Sequence, residues 1–293
     1  MATTYYGIDV SVHNGYVDYS KVKKSKSFVM IRAGYGKYTS QKDTRFEENY
    51  KNAKANGLHV GAYWYSYAHT TADALAEAKT FLSVIAGKQF DMPIAFDIEE
   101  SFQASMSASL KSQIIDTFCS YCEKAGYFIQ LYSYESFLQS VPVATRNKYN
   151  VWCANISKTP SITYGMHQYS FTGSVAGISG RVDLNQTTID YPTLIKNGGY
   201  NGYPKSSTPT EPTKKTLDSE GFKKGDKNNG VFALKKLLLI AKAKKIITQG
   251  IDDNESFGDG TEKAVNQYLK KKGYRENGIA GKNFIDAIYK DIK

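Results

Sequence analysis

The chain has 293 residues, enough for one large domain and a small one or for two of middle size, with ample material for a core. Its formal net charge of +10 favours polyanionic partners, and the surplus sits mainly in the C-terminal third: residues 201–293 carry 19 Lys and Arg against 12 Asp and Glu, residues 1–200 carry 19 against 16. No apolar run approaches the roughly 20 residues of a membrane span, and three cysteines, an odd number, argue against a disulfide framework.

The start, Met1-Ala2-Thr3-Thr4-Tyr5-Tyr6, lacks the basic and apolar regions of a signal peptide, so a protein made in the cytoplasm without one is expected. Eight short β-type runs follow, near Tyr5–Val10, Phe28–Gly34, Leu58–Tyr65, Met92–Ile98, Tyr127–Tyr132, Val151–Asn155, Met166–Ser170 and Arg181–Leu184. Amphipathic helices are predicted over Arg45–Asn56, Ala72–Ile85 and Met106–Lys124, whereas later connections are short. Strands alternating with helices imply a parallel sheet, and eight of them a TIM-like α/β barrel with reduced helices in its last part. Cys119 and Cys122 fall on the apolar face of the third helix, which favours buried core thiols over a redox or metal pair.

The fourth run, Pro93-Ile94-Ala95-Phe96-Asp97-Ile98-Glu99-Glu100, breaks abruptly from apolar residues into carboxylates. Strand alternation puts Asp97 and Glu99 on one face and turns Glu100 the other way with Phe96 and Ile98. Paired acids suit glycosidic-bond hydrolysis, while a solvated strand end or a metal site are the other readings of this stretch. Working residues of such a barrel sit at the C-terminal ends of its strands. Asp9 ends the first run and Asp183 lies in the eighth, so in a closed barrel these two stand side by side, facing Asp97 and Glu99 across the mouth. Other strand ends supply Tyr63, Trp64, Tyr65, Tyr132, Trp152, Gln168 and Tyr169, whose rings and amide suit a carbohydrate cleft.

Six stretches in order resemble the family 25 glycoside hydrolases: Tyr6–Ser11, Phe28–Gly36, Asp43–Tyr50, Gly61–Ala68, Phe96–Glu99 and Val182–Asn185. The resemblance covers residues 3 to about 195. It implies a flattened (β/α)-barrel and a muramidase (lysozyme) that cleaves the β-1,4 bond between N-acetylmuramic acid and N-acetylglucosamine in peptidoglycan. By motif it implies Glu99 as general acid, Asp97 as its partner, and Asp9 and Asp183 as the remaining site acids. Crowding by like charges should keep Glu99 protonated near neutral pH. Asp97 as base for water, Asp97 orienting the substrate's acetamido group, and direct carboxylate attack all stay open, with acetamido assistance preferred. None needs a metal or other cofactor. Met166-His167-Gln168-Tyr169 departs from the family's Trp-Gln pattern, with His167 where a ring is expected; a packing substitution is preferred over a titrating group.

After Ile195 the texture changes to Gly, Pro, Ser and Thr, and the expected organisation is a catalytic domain over 1–196, a linker over 197–216 and a wall-binding domain over 217–293. Three helix signals, around Val231–Ala241, Ala264–Leu269 and Phe284–Ile288, predict a small all-α three-helix domain. Lys224-Gly225-Asp226, Phe257–Thr261 and Asn277–Gly281 before Phe284 resemble the peptidoglycan-binding domain 1 family, although the turn Gly250–Phe257 is longer than the family's usual form and Tyr268-Leu269 stands for its Phe-Gln. The lysine clusters, Lys235-Lys236, Lys242, Lys244-Lys245 and Lys270–Lys272, read equally as solvated helix faces or as sites for acidic wall polymers.

The resulting expectation is a modular peptidoglycan hydrolase, held on the wall by its second domain, with no nucleic-acid partner and no membrane insertion. A phage endolysin, released by a separate membrane-permeabilising partner, is favoured over a host autolysin. A wall-binding protein on a decayed hydrolase scaffold, a basic nucleic-acid binder and a glucosaminidase acting on the alternate bond are the competing readings.

Overall fold

Eight strands close into a barrel in sequence order: β1 (Tyr5–Val10), β2 (Phe28–Tyr35), β3 (His59–Tyr65), β4 (Ile94–Asp97), β5 (Ile129–Tyr134), β6 (Asn150–Ala154), β7 (Met166–Gly173) and β8 (Val182–Thr187). The computed structural model describes residues 3–204 and 216–293, which form two compact units. Around the barrel lie α1 (Tyr19–Val22), α2 (Phe46–Ala55), α3 (Thr71–Ile85), α4 (Ser101–Ala104), α5 (Ala108–Lys124), α6 (Glu135–Ser140), α7 (Val143–Arg146) and α8 (Tyr191–Gly198). No helix stands between β6 and β7 or between β7 and β8, as the short late connections imply.

The sheet is not all parallel. β8 runs antiparallel to both β7 and β1, because the short β7–β8 connection can only make a hairpin, whereas a parallel return needs a longer crossover. Alternation sorts each strand into two faces. Ile8, Val29, Ala62, Phe96 and Leu131 pack outward under the helices, in a layer that includes Phe81 of α3 and Phe118 of α5. Phe28, Met30, Ala95, Tyr132, Trp152 and Met166 fill the barrel interior. Gly7 is what lets Phe28 plug that interior, since a Cβ there would fall 2.3 Å from the ring.

Cys119 and Cys122 are buried free thiols on the core face of α5, and burial pushes both upward in pKa. The ordered first unit continues past the expected boundary at residue 196. Asn201 is fully buried in the left-handed region (φ 55°), its amide donating to the Met92 carbonyl (2.9 Å) and its Oδ1 accepting from the Phe128 N–H (2.7 Å). A polar residue in an apparently linker-like run thus closes the bottom of the barrel. Residues 205–215, most of the expected linker, lie outside the described residues.

The second unit packs α9 (Asn229–Ala243), α10 (Asp259–Lys271) and α11 (Lys282–Ile292) around Leu234, Leu238, Val265, Tyr268, Phe284 and Ile288. Asp218 caps α11 by accepting from the Asn283 and Phe284 N–H groups (3.1 and 2.8 Å). Part of each of two lysine clusters is spent on the fold. Lys235 is completely buried, its ammonium donating to Asp252 (2.9 Å) and Asn254 (2.7 Å), so it anchors the long Gly250–Phe257 turn and is not a surface charge. Lys236 and Lys272 pair with Asp253 and Asp291. Among the described residues, no helix is long and apolar enough to cross a membrane.

Candidate active site

Asp9, Asp97, Glu99 and Asp183 converge at one end of the barrel. Asp9 and Asp183 are direct partners across the antiparallel β1–β8 seam, and a hydrogen bond links their carboxyls. Asp97 ends β4, in register with Tyr65 on β3 and Tyr132 on β5. Beyond burial, the Tyr132 hydroxyl is held far above its usual value by the field of all four carboxylates, with Glu99 the strongest, so all four lie within electrostatic reach of one ring.

Asp9 is nearly sealed from solvent, at 6% exposure, and burial first and Asp183 second push its pKa up to about 8. Its Oδ2 accepts from Asn185 Nδ2 (2.7 Å) and Gln168 Nε2 (2.8 Å). Each amide is itself oriented by a ring: Trp152 Nε1 donates to Asn185 Oδ1 (2.8 Å), and the Tyr132 hydroxyl donates to Gln168 Oε1 (2.7 Å). Asp9 therefore holds the proton it shares with Asp183, and both amides and both rings are committed to fixing it.

Burial, then the neighbouring Glu99 and Asp9, hold Asp97 well above the usual carboxylate range, while Arg32 pulls the other way. Asp97 Oδ1 is buried with no hydrogen-bond partner among the described residues, a costly state unless the oxygen carries a proton or meets a ligand's donor. Glu99 is pushed up to about 7 by burial, by Glu100 and by Asp183. That value leaves a large protonated fraction near neutral pH, as a general acid requires.

Several sequence expectations are corrected. β4 ends at Asp97, so strand alternation does not govern Glu99 and Glu100, which lie in the following turn. Glu100 accordingly does not face elsewhere: it accepts from the Tyr65 hydroxyl (2.8 Å) and its charge raises Glu99. Trp64 points out of the barrel, fully buried, stacked on Phe81 of α3 at 5.4 Å with its Nε1 donating to the Gly36 carbonyl, and it cannot touch a ligand in the mouth. Tyr169 follows the inward Gln168 and so alternates outward, edge-on to His167. His167 is buried on that outer face with Nε2 donating to the Asn155 carbonyl (2.7 Å), a packing role and not a cleft wall.

Tyr63, Tyr65, Tyr132, Trp152 and Gln168 are inward, as expected, but Trp152 (1% exposed) and Gln168 (1%) serve the acids from below and offer little open surface. Two inward residues carry no expectation from the sequence. Asn185 stands two positions after Asp183, a spacing that marks it as facing the same way. Arg32 donates to the buried Asp43 (2.9 Å) and tempers the Asp97 site. Exposed rings of Tyr35 (36%) and Tyr67 (44%), edge to face at 6.0 Å, extend the wall beyond Tyr65. Glu77, pushed up to about 7 by burial, secures the end of β3 by accepting from the Ser66 hydroxyl and the Tyr67 N–H (2.7 and 2.8 Å).

The family described as glycosyl hydrolases family 25 matches residues 8–178. The autolytic lysozyme of Clostridium acetobutylicum is 34% identical over 186 residues, 61% of this chain and 55% of that protein. The chain thus spans little more than half of that relative. Among solved structures, the bacterial lysozyme of Streptomyces coelicolor is similar at 29% identity (TM-score 0.52), covering 63% of this chain and 92% of that one. The catalytic domain of endolysin ply40, from bacteriophage P40 of Listeria monocytogenes, is similar at 25% identity (TM-score 0.55), covering 66% and 97%.

Proposed function

Because the chain belongs to glycosyl hydrolases family 25, we propose that it is an N-acetylmuramidase that cleaves the β-1,4 bond between N-acetylmuramic acid and N-acetylglucosamine in peptidoglycan. The observation that carries this reading is the convergence of four carboxylates on Tyr132, one of them poised near pH 7. In this assignment Glu99 protonates the leaving oxygen. Asp97 takes the N–H of the sugar's acetamido group with its unpartnered oxygen, turning the acetamido carbonyl toward the anomeric carbon. Asp183, kept anionic by the hydrogen bond from the protonated Asp9 beneath it, flanks the sugar and stabilises the positive charge that develops on the ring. Tyr63 and Tyr65, with Tyr35 and Tyr67 beyond them, supply ring faces for neighbouring sugars.

The likeness to an endolysin catalytic domain supports a role in lysing host walls after the membrane has been opened. The second unit holds the enzyme on the wall and raises its local concentration there, with those of its lysines that form no ion pair among the described residues available to acidic polymers.

Digestion of purified peptidoglycan tests the bond assignment. After borohydride reduction, new muramitol ends support it and new glucosaminitol ends overturn it; Glu99→Gln should release neither.

A further inference from the structure

The barrel mouth that holds the four acids, here the pit, has a neighbouring concavity on the same face. β5 and β6 run on past Tyr132 and Trp152, and Tyr134 pairs with Ala154 two residues further out, about 7 Å along the strands. Above that pair opens a hollow of about 390 Å³. One side is apolar, with Ile156 and Phe171 lying 55% and 45% exposed beside Tyr134. The other side carries a single cation, Lys158.

The hollow is built and held in place. Glu135 lies beneath it and is consumed: it accepts from the Ser161 N–H and hydroxyl, from Gln139 and from Asn155, and these bonds, led by the Ser161 hydroxyl, hold its carboxyl below the usual range. Asn155 Oδ1 accepts from the Ser157 and Lys158 N–H groups (3.0 and 3.1 Å), fixing the turn that presents Lys158. The His167 ring braces the same turn from behind through the Asn155 carbonyl. Among the described residues, no carboxylate forms an ion pair with the Lys158 ammonium, although the Glu135 charge is felt nearby.

We propose that this hollow receives the peptide arm of a muramyl residue bound in the pit, with Lys158 taking one of the arm's carboxylates and Ile156 and Phe171 covering its small apolar side chains. The inference rests on the muramidase reading and names a recognition element that the acids themselves do not provide. A peptide-free muramyl residue ends at its short lactyl carboxylate, held close to the sugar ring, and has no longer branch to carry an anion out to Lys158. A peptide-bearing muramyl residue has an arm that must leave the cleft sideways, with apolar and anionic groups in short succession. A charge-assisted contact of this kind at a partly open site contributes about tenfold in affinity and weakens with salt.

The test compares two soluble ligands by calorimetry on the full chain, the N-acetylglucosaminyl-N-acetylmuramyl disaccharide with and without its tetrapeptide. The peptide-bearing form should bind about tenfold more tightly. Lys158→Glu should erase that difference and leave the peptide-free disaccharide unchanged, while Lys158→Arg retains it. Equal binding of both ligands by the wild-type chain, or equal weakening of both by Lys158→Glu, overturns the subsite. If that equal binding accompanies normal wall cleavage, the muramidase reading stands and only the subsite falls. If neither ligand binds and walls are not cut, both fall.

Discussion

Asp9 and Asp183 face each other across the antiparallel β1–β8 seam that closes the barrel, and Asp9 carries the proton between them. Its Oδ2 is occupied by two amide donors, which leaves the other oxygen to donate toward Asp183. An asparagine could make the same three contacts, its carbonyl accepting from Asn185 and Gln168 and its amide donating to Asp183. With a folded value near 8, the stability Asp9 contributes is whole below 3.8 and is lost as the pH rises toward 8. Asp9→Asn should therefore gain stability over the wild type between pH 4 and 8, by up to about 6 kcal/mol, then level off, while losing activity. Thermal melts across that range check this; a constant difference would sink the shared-proton assignment.

Glu99 sets the alkaline limit of the reaction. A general acid poised at about 7 predicts that kcat/KM on solubilised peptidoglycan falls above pH 7, by about tenfold per unit once the group is ionised. Glu99→Gln should lower turnover by about 10² to 10⁴ at pH 6. A rate that is flat to pH 9 would remove Glu99 from the proton-donor role.

The two tryptophans separate packing from positioning. Trp64→Ala empties a site between the sheet and α3 and should cost about 3–5 kcal/mol of stability, with little effect on kcat or KM well below its melting temperature. Trp152→Phe keeps a ring but strips the donor from Asn185, so a loss of about 1–3 kcal/mol should come with a lower kcat at nearly unchanged KM. Paired melting and steady-state measurements distinguish the two patterns.

Truncation tests where the first unit ends. A chain stopping at residue 196 lacks Asn201 and its bonds to Met92, Phe128, Gly126 and Phe90. It should be less stable than a chain stopping at residue 204 by about 3 kcal/mol, read from urea midpoints. Equal midpoints would show that this tail adds nothing.

The second unit has its own core and cap, so residues 217–293 expressed alone should unfold cooperatively. If its unpaired lysines meet acidic polymers, it should sediment with intact walls at low salt, release as salt rises, and bind poorly to walls stripped of those polymers. Undiminished binding to stripped walls would assign retention to the glycan or its peptides.

The spacing of apolar residues was sufficient to locate all eight strands and the main helices, because period-two and period-3.6 patterns are local properties of the chain. Asp9 and Asp97 stand out in the same way, as carboxylates at the far ends of buried strands, whereas Glu99 lies past the end of β4 and Asp183 near the start of β8, and motif resemblance was needed to pick them. Side-chain direction beyond a strand's last residue was not local. Glu100 turned toward the site because β4 stopped at Asp97, and Trp64 turned away because its strand continued. Asn201 and Lys235 read as polar surface, yet both are buried, and only the carbonyls and carboxylates that close around them explain why. The sequence by itself determined the elements and the charged groups of this protein. Only the closed barrel decided which of those groups share a proton, because the field that shifts Asp9, Asp97 and Glu99 comes from residues distant in sequence and from the water that closure excludes.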